Sequence, residues 1–241
     1  MHPLDLWDFD DAAGSEQRFR AAADAAADPE RAVMLTQLAR ALGLQERYDE
    51  GFAVLDDLPP AGGEVGVRID LERGRLLRSS GAPESAVDHF RSAAAAASEQ
   101  GLEELHVDAL HMLVLVADPA DQAALSEQAL AVARASSDQR ARDWDASLLT
   151  NLGMTYADRG DFAEALGVFE EALAARERIG DDARTRVARW MVAWALRNLG
   201  RTDEALAMQT ALKAELDAIG EVDPYVDEEL ATLTGGGSTG P

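Results

Sequence analysis

Apolar residues recur along this chain at helical spacing, and almost nowhere do they alternate with polar ones as a half-buried strand requires. In LTNLGMTYADRGDFAEALGVF, which starts at Leu149, the residues Leu149, Leu152 and Tyr156 fall at i, i+3 and i+7. Gly160 then interrupts the pattern, and a second helical pattern begins within two residues. The same alternation of helix, glycine and helix runs through the rest of the chain, and alanine, leucine, glutamate and arginine, all strong helix formers, fill it. The pattern predicts an all-α protein.

The pattern also repeats. Forty residues on, Gly160 falls on Gly200, the EAL at 164–166 on the EAL at 204–206, and the IG at 179–180 on the IG at 219–220. Upstream, LTQLARALGLQERYDEGFAVLDDL puts Leu35, Thr36, Leu38 and Tyr48 in register with Leu149, Thr150, Leu152 and Phe162. RGRLLRSSGAPESAVDHFRSAAAAA supplies Gly74, Gly81, Ala86 and Phe90 at matching places, and a weaker copy from Ala109 keeps register through Pro119 and Ala129. Each copy reads as a helix ended by a glycine able to take the left-handed conformation, followed by a second helix opened by a polar residue or proline. Pro83 and Pro119 suit a first helical turn, where the missing N–H costs nothing. Gly74 and Gly153 would let the second helix approach the first, and Ala86 and Ala165 would do the same from the other side.

This pattern resembles the tetratricopeptide repeat, whose signature is W-x2-L-G-x2-Y followed by A-x3-F and a proline. In the copy from Leu149, Leu152, Gly153, Tyr156, Ala165 and Phe169 match; Leu149 stands for the tryptophan and Glu177 for the proline. The unit is longer than the family's usual length of about 34 residues. The resemblance implies a right-handed α-solenoid of about five antiparallel helix pairs, with capping helices at both ends. It divides the chain into an N-terminal segment and capping helix over 1–28, the repeat array over 29–220, and a short terminal helix and disordered tail over 221–241.

At the ends, SEQRFRAAADAAAD at 15–28 reads as a helix with Ser15 as its N-cap, and Asp223 with Pro224 opens a final helix. The preceding LDLWDFDD either lays Leu6, Trp7 and Phe9 on the first repeat or offers a partner an acidic and aromatic tail. PPAGGEVG at 59–66 reads as a long turn between repeats.

Charge narrows the partners. Forty-five acidic residues against 22 basic ones give a net charge of −23, which repels phosphate backbones and anionic membranes. The longest apolar run, MLVLVA at 112–117, is far short of the ~20 residues of a spanning helix, and the N-terminus lacks a secretory pattern. With no cysteine, no disulfide framework is available. These features predict a cytoplasmic protein that binds neither nucleic acid nor membrane.

Catalytic templates fail. Gly235, Gly237 and Gly240 satisfy GxGxxG formally but follow no strand; the sole lysine, Lys213, has no phosphate-loop context; and the four histidines lack metal-ligand spacing. The expectation is no enzyme, no cofactor and no metal.

A binding face is easier to argue. The resemblance implies that the first helices of the repeats line a concave groove that receives a peptide or partner protein. On the helical wheel Val192, Ala193 and Leu196 take the packing positions, while Trp190, Trp194 and Arg197 point elsewhere. Corresponding positions hold Met154, His111, Arg75 and Arg40, with Arg68 and Arg78 on the face of Arg75. Two placements stay open for the tryptophans: an open groove wall, or cover by the helix after Asp223. The arginines either pair with nearby acids or recognise an anionic ligand. The predicted function is a non-catalytic interaction module. The alternative is a peptide-sensing regulator acting on a separately encoded effector. A monomer, or weak self-association through the array ends, is expected.

Overall fold

A computed structural model describes residues 2–235; the glycine-rich end, expected to be disordered, falls at 236–241, outside the described residues. Among the described residues every regular element is a helix: α1 Ala12–Ala25, α2 Glu30–Leu44, α3 Tyr48–Asp56, α4 Gly63–Ser79, α5 Pro83–Glu99, α6 Glu103–Val116, α7 Gln122–Ala135, α8 Gln139–Asp143, α9 Asp145–Asp158, α10 Phe162–Ile179, α11 Asp182–Asn198, α12 Thr202–Ile219 and α13 Pro224–Leu233. A short 3-10 turn, Pro3–Leu6, precedes them. The chain forms two compact units, one of residues 1–118 and 135–141, the other of residues 119–134 and 142–241.

In the first unit α2 pairs with α3 and α4 with α5, while α2, α4 and α6 run side by side as the first helices of their repeats. The α4/α5 pair shows why. Gly74 faces the ring of Phe90 so closely that a Cβ there would overlap it, and Ala86 is fully buried on the facing helix. Small residues let two backbones approach, and the phenyl ring, also fully buried, fills the space between them. Burial of such a ring is worth about 1.5–3 kcal/mol.

In the second unit the same joint recurs, with Gly153 of α9 against Phe169 of α10. Phe169, Val192, Leu196, Ala165 and Ala205 form one cluster, and Leu212, Leu216 and Val226 form another toward α13. Gly160 ends α9 at φ 82°, and the Asp161 N–H reaches back to the Tyr156 carbonyl at 2.9 Å, closing the helix as a glycine stop should.

Two local expectations change. Asp11, not Ser15, caps α1, its carboxylate accepting from the Gly14 N–H at 2.8 Å. Ser15 is buried and exchanges two hydrogen bonds with the backbone of Asp8, tying the preceding segment to the helix. Pro83 does open α5, but Pro119 lies in the turn before α7 rather than in its first helical turn. Asp223 caps α13 with Pro224 in the first turn, as read from the sequence.

Candidate peptide-binding faces

The first unit carries a buried charge cluster on α2, α4 and α6. Arg75 of α4 bridges Glu72, one turn back at 2.6 Å, and Asp108 of α6. Gln37 of α2 leans toward Glu72 at 3.4 Å. Burial disfavours the Arg75 charge, but Asp108 and Glu72 outweigh it and hold its pKa above the ordinary arginine value. Burial likewise opposes the Asp108 carboxylate, yet Arg75 and Arg40 hold its pKa down. His111, one turn beyond Asp108, is pushed down to about 4, mainly by burial and further by Arg75, Arg40 and Arg78, against the opposing pull of Asp108. It is neutral at pH 7.

Arg40 differs from its neighbours. Its guanidinium stands over the rings of Trp7 and Phe9, 5.4 and 5.3 Å from their centroids. Among the described residues no carboxylate or carbonyl hydrogen-bonds it, and burial, with Arg75 adding to the effect, lowers its pKa. Glu72 and Asp108 pull the other way, so the guanidinium is held by two aromatic faces and by the charges of two nearby carboxylates.

The segment before α1 lies on this face. Trp7 donates its indole N–H to Gln37 at 2.9 Å and packs, with Leu6, on the cluster of Phe19, Leu38 and Leu42. Its ring stacks on Phe9 at 4.7 Å. His2 reaches Glu104 of α6 at 3.3 Å. Beside His2 opens a cleft of about 390 Å3 whose walls include Arg68, Glu104, Ser137 and Arg140. Arg68, almost buried, is tied to Glu64 at 2.8 Å. Arg78 is exposed at the end of α4.

In the second unit, Trp190 and Trp194 stack at 6.0 Å with planes 10° apart. The terminal helix α13 reaches one of them: Trp190 donates to the Tyr225 carbonyl at 3.1 Å and packs beside Leu230 on Leu212, Leu216 and Val226. Arg197 is bidentate on the nearly buried Glu229 of α13, at 2.8 and 2.9 Å. Trp194 lies edge-on to Phe162 at 5.3 Å. Together with Met154 it is half-buried against the Phe169 cluster, on which Leu233 of α13 also packs.

The nine residues singled out in the sequence thus fall into two groups, Arg40, Arg68, Arg75, Arg78 and His111 in one unit and Met154, Trp190, Trp194 and Arg197 in the other. Sequence reasoning missed Glu72, Asp108 and Glu229, the acids that occupy Arg75 and Arg197, and Gln37, which receives Trp7. Their only sequence signal is a lone acid or amide on a helix face, common in so acidic a chain. Among the described residues no cluster of His, Asp or Glu is arranged to hold a metal ion, and no helix is long and apolar enough to cross a membrane.

Stacked helix pairs joined by a glycine-to-phenylalanine contact define an α-solenoid protein. Residues 144–211 match the family model described as tetratricopeptide repeat, and that stretch carries repeats of this kind. No curated protein matches the sequence. Among solved structures, the nearly identical repeats of a kinesin light chain from Podosopora anserina share 16% identity at a TM-score of 0.61, covering 81% of this chain and 99% of that one. BtubC from P. vanneervenii shares 20% at 0.61, covering 90% and 92%. A signal transduction ATPase with a tetratricopeptide repeat sensor, from Pyrococcus horikoshii, shares 12% at 0.70, covering 92% of this chain but 36% of that one. At these identities the likeness is one of fold.

Proposed function

We propose that this protein is a non-catalytic interaction module that takes a peptide segment or partner protein on the first-helix faces of its repeats. The fold supports a protein-interaction role in general. The observation that favours the specific face is the chain's own segment 2–9, seated in extended and 3-10 conformation across α2 and α6 by an indole hydrogen bond, a cation-π contact and the approach of His2 to Glu104. A face that holds one short peptide by side-chain contacts has the chemistry to hold another. In the second unit, Met154 and Trp194 supply apolar surface of the kind that anchors partners.

The test is affinity selection of a displayed peptide library on the whole chain, followed by titration of the selected peptides against Trp194→Ala, Met154→Ala and Arg40→Gln variants that keep the helical content of the wild type. The reading expects affinity losses of tenfold or more for at least one variant. It fails if selected peptides bind all three as they bind the parent. A second reading, a peptide sensor for a separately encoded effector, draws on the fold shared with the Pyrococcus horikoshii sensor. It predicts the same face.

A further inference from the structure

Two stacked aromatic pairs lie against first helices, one in each unit: Trp7 with Phe9 at 4.7 Å beside α2, and Trp190 with Trp194 at 6.0 Å on α11. The first pair carries a cation. The Arg40 guanidinium stands 5.4 and 5.3 Å from the two ring centroids, and Glu72 and Asp108 attract the same charge. Rings and carboxylates together hold it, and a guanidinium suits such a seat because it is planar and weakly hydrated.

The second pair has the rings without the cation. Among the described residues no guanidinium or ammonium stands over Trp190 or Trp194. Arg197, the base on the same face of α11, spends its fork on Glu229. Both indoles are half-buried, with Phe162 edge-on to Trp194 at 5.3 Å and Tyr225 edge-on to Trp190 at 6.2 Å. The elements that border these rings also supply two carboxylates. Asp158 lies one turn beyond Met154 on the same face of α9, and Asp161 precedes Phe162 and leaves its side chain out of the α10 cap. Both are exposed, and among the described residues neither makes an ion pair.

We infer that the Trp190 and Trp194 face of the second unit docks an arginine-bearing segment of a partner protein, the arginine stacking on the indoles and turning its donors toward Asp158 and Asp161. This inference rests on the interaction-module reading and adds to it the charge of the partner. A net charge of −23 steers cationic segments toward the molecule, and the rings then select a planar cation from those that the field gathers. The Arg40 seat in the first unit is the same chemistry filled from within the chain.

The experiment uses the full chain and two fluorescein-labelled peptides, GRARARG and its counterpart with citrulline, the neutral isostere, in place of each arginine. Binding is followed by anisotropy at physiological salt, and every variant is checked for helical content and cooperative melting. Wild type should bind the arginine peptide about tenfold or more tightly than the citrulline one. Trp194→Leu, which keeps apolar bulk and removes the π face, should cost about fivefold. Asp158→Asn/Asp161→Asn should cost about threefold, and Glu99→Gln, at an exposed carboxylate of α5, should change nothing. Equal binding of the two peptides overturns the inference, as does wild-type affinity in a folded Trp194→Leu variant or an equal loss with Glu99→Gln, since either means diffuse attraction to an acidic surface. Should Trp194→Leu fail to fold, wild-type affinity in the double aspartate variant overturns it instead. If library-selected peptides depend on Trp194 and Met154 yet bind as well with citrulline in place of arginine, the cationic ligand is wrong and the interaction module stands. If those peptides are indifferent to Trp194 and Met154 too, both fall.

Discussion

Trp190 donates its indole N–H to the backbone carbonyl of Tyr225 at 3.1 Å, so the first helix of the last repeat is fastened directly to the terminal helix. The fastening has a second point, the Arg197 fork on Glu229 one turn further along α13. Trp190→Phe keeps a ring and removes the donor, leaving the exposed carbonyl to water. The expected cost is about 0.5–1.5 kcal/mol, the net worth of one such hydrogen bond. Hydrogen exchange should show it as faster exchange confined to the amides of α13.

The Gly74 and Gly153 joints predict opposite effects for glycine substitutions that look alike in sequence. Alanine at either position would drive a methyl into Phe90 or Phe169, and overpacking of about 1–3 kcal/mol outweighs the helix-propensity gain of about 0.5–1 kcal/mol. Gly167, in the interior of α10, has no atom within 4 Å of where a Cβ would sit. Gly167→Ala should therefore stabilise by about 0.5–1 kcal/mol. Thermal melts of the three single variants check both signs.

Asp108 matters more than its exposure on a helix wheel suggests. Its removal leaves Arg75 buried with only Glu72, while Arg40 loses its second attractive charge. Asp108→Ala should cost about 3–5 kcal/mol, as breaking one side of a buried pair does. Exchanging Arg75 and Asp108 together for apolar residues should cost much less. Urea denaturation of the single and double variants separates the two outcomes.

His111 predicts a pH dependence with a definite sign. Its folded pKa of about 4 lies below the ordinary value of 6.5, so between these values the unfolded chain binds a proton that the folded chain does not. Stability carried by the neutral ring is full above pH 6.5 and declines as pH falls through that window, in total by roughly 3 kcal/mol at 1.36 kcal/mol per unit. A His111→Gln variant should show a shallower fall between pH 6.5 and 4 in parallel urea titrations. Identical slopes would mean that the imidazole is solvated.

The helix pairs were legible because their determinants are local. A glycine stop closes its own helix, and a Gly74 to Phe90 contact links residues of one repeat, so the register of Gly, Ala and Phe carries the architecture. The wheel also placed Val192, Ala193 and Leu196 correctly in the core. It left the fate of the tryptophans open, since whether α13 reaches Trp190 depends on where a helix 35 residues further on returns. The charge cluster was illegible for the same reason. Arg75 and Asp108 are 33 residues apart, and nothing in either local pattern announces the pairing. The contact of Trp7 with Gln37 spans 30 residues, and of the two placements the sequence left open for this segment, Trp7 and Leu6 take the packed one. The division of the chain after Asp118 leaves no mark on the repeat register.

The central claim is that ligands bind the first helices of the repeats, and it is tested most directly by hydrogen exchange on the full chain saturated with a library-selected peptide. The account predicts new protection on first helices among α2, α4, α6, α9 and α11, and no change in the second helices α3, α5, α10 and α12. Protection appearing on the second helices instead would contradict it.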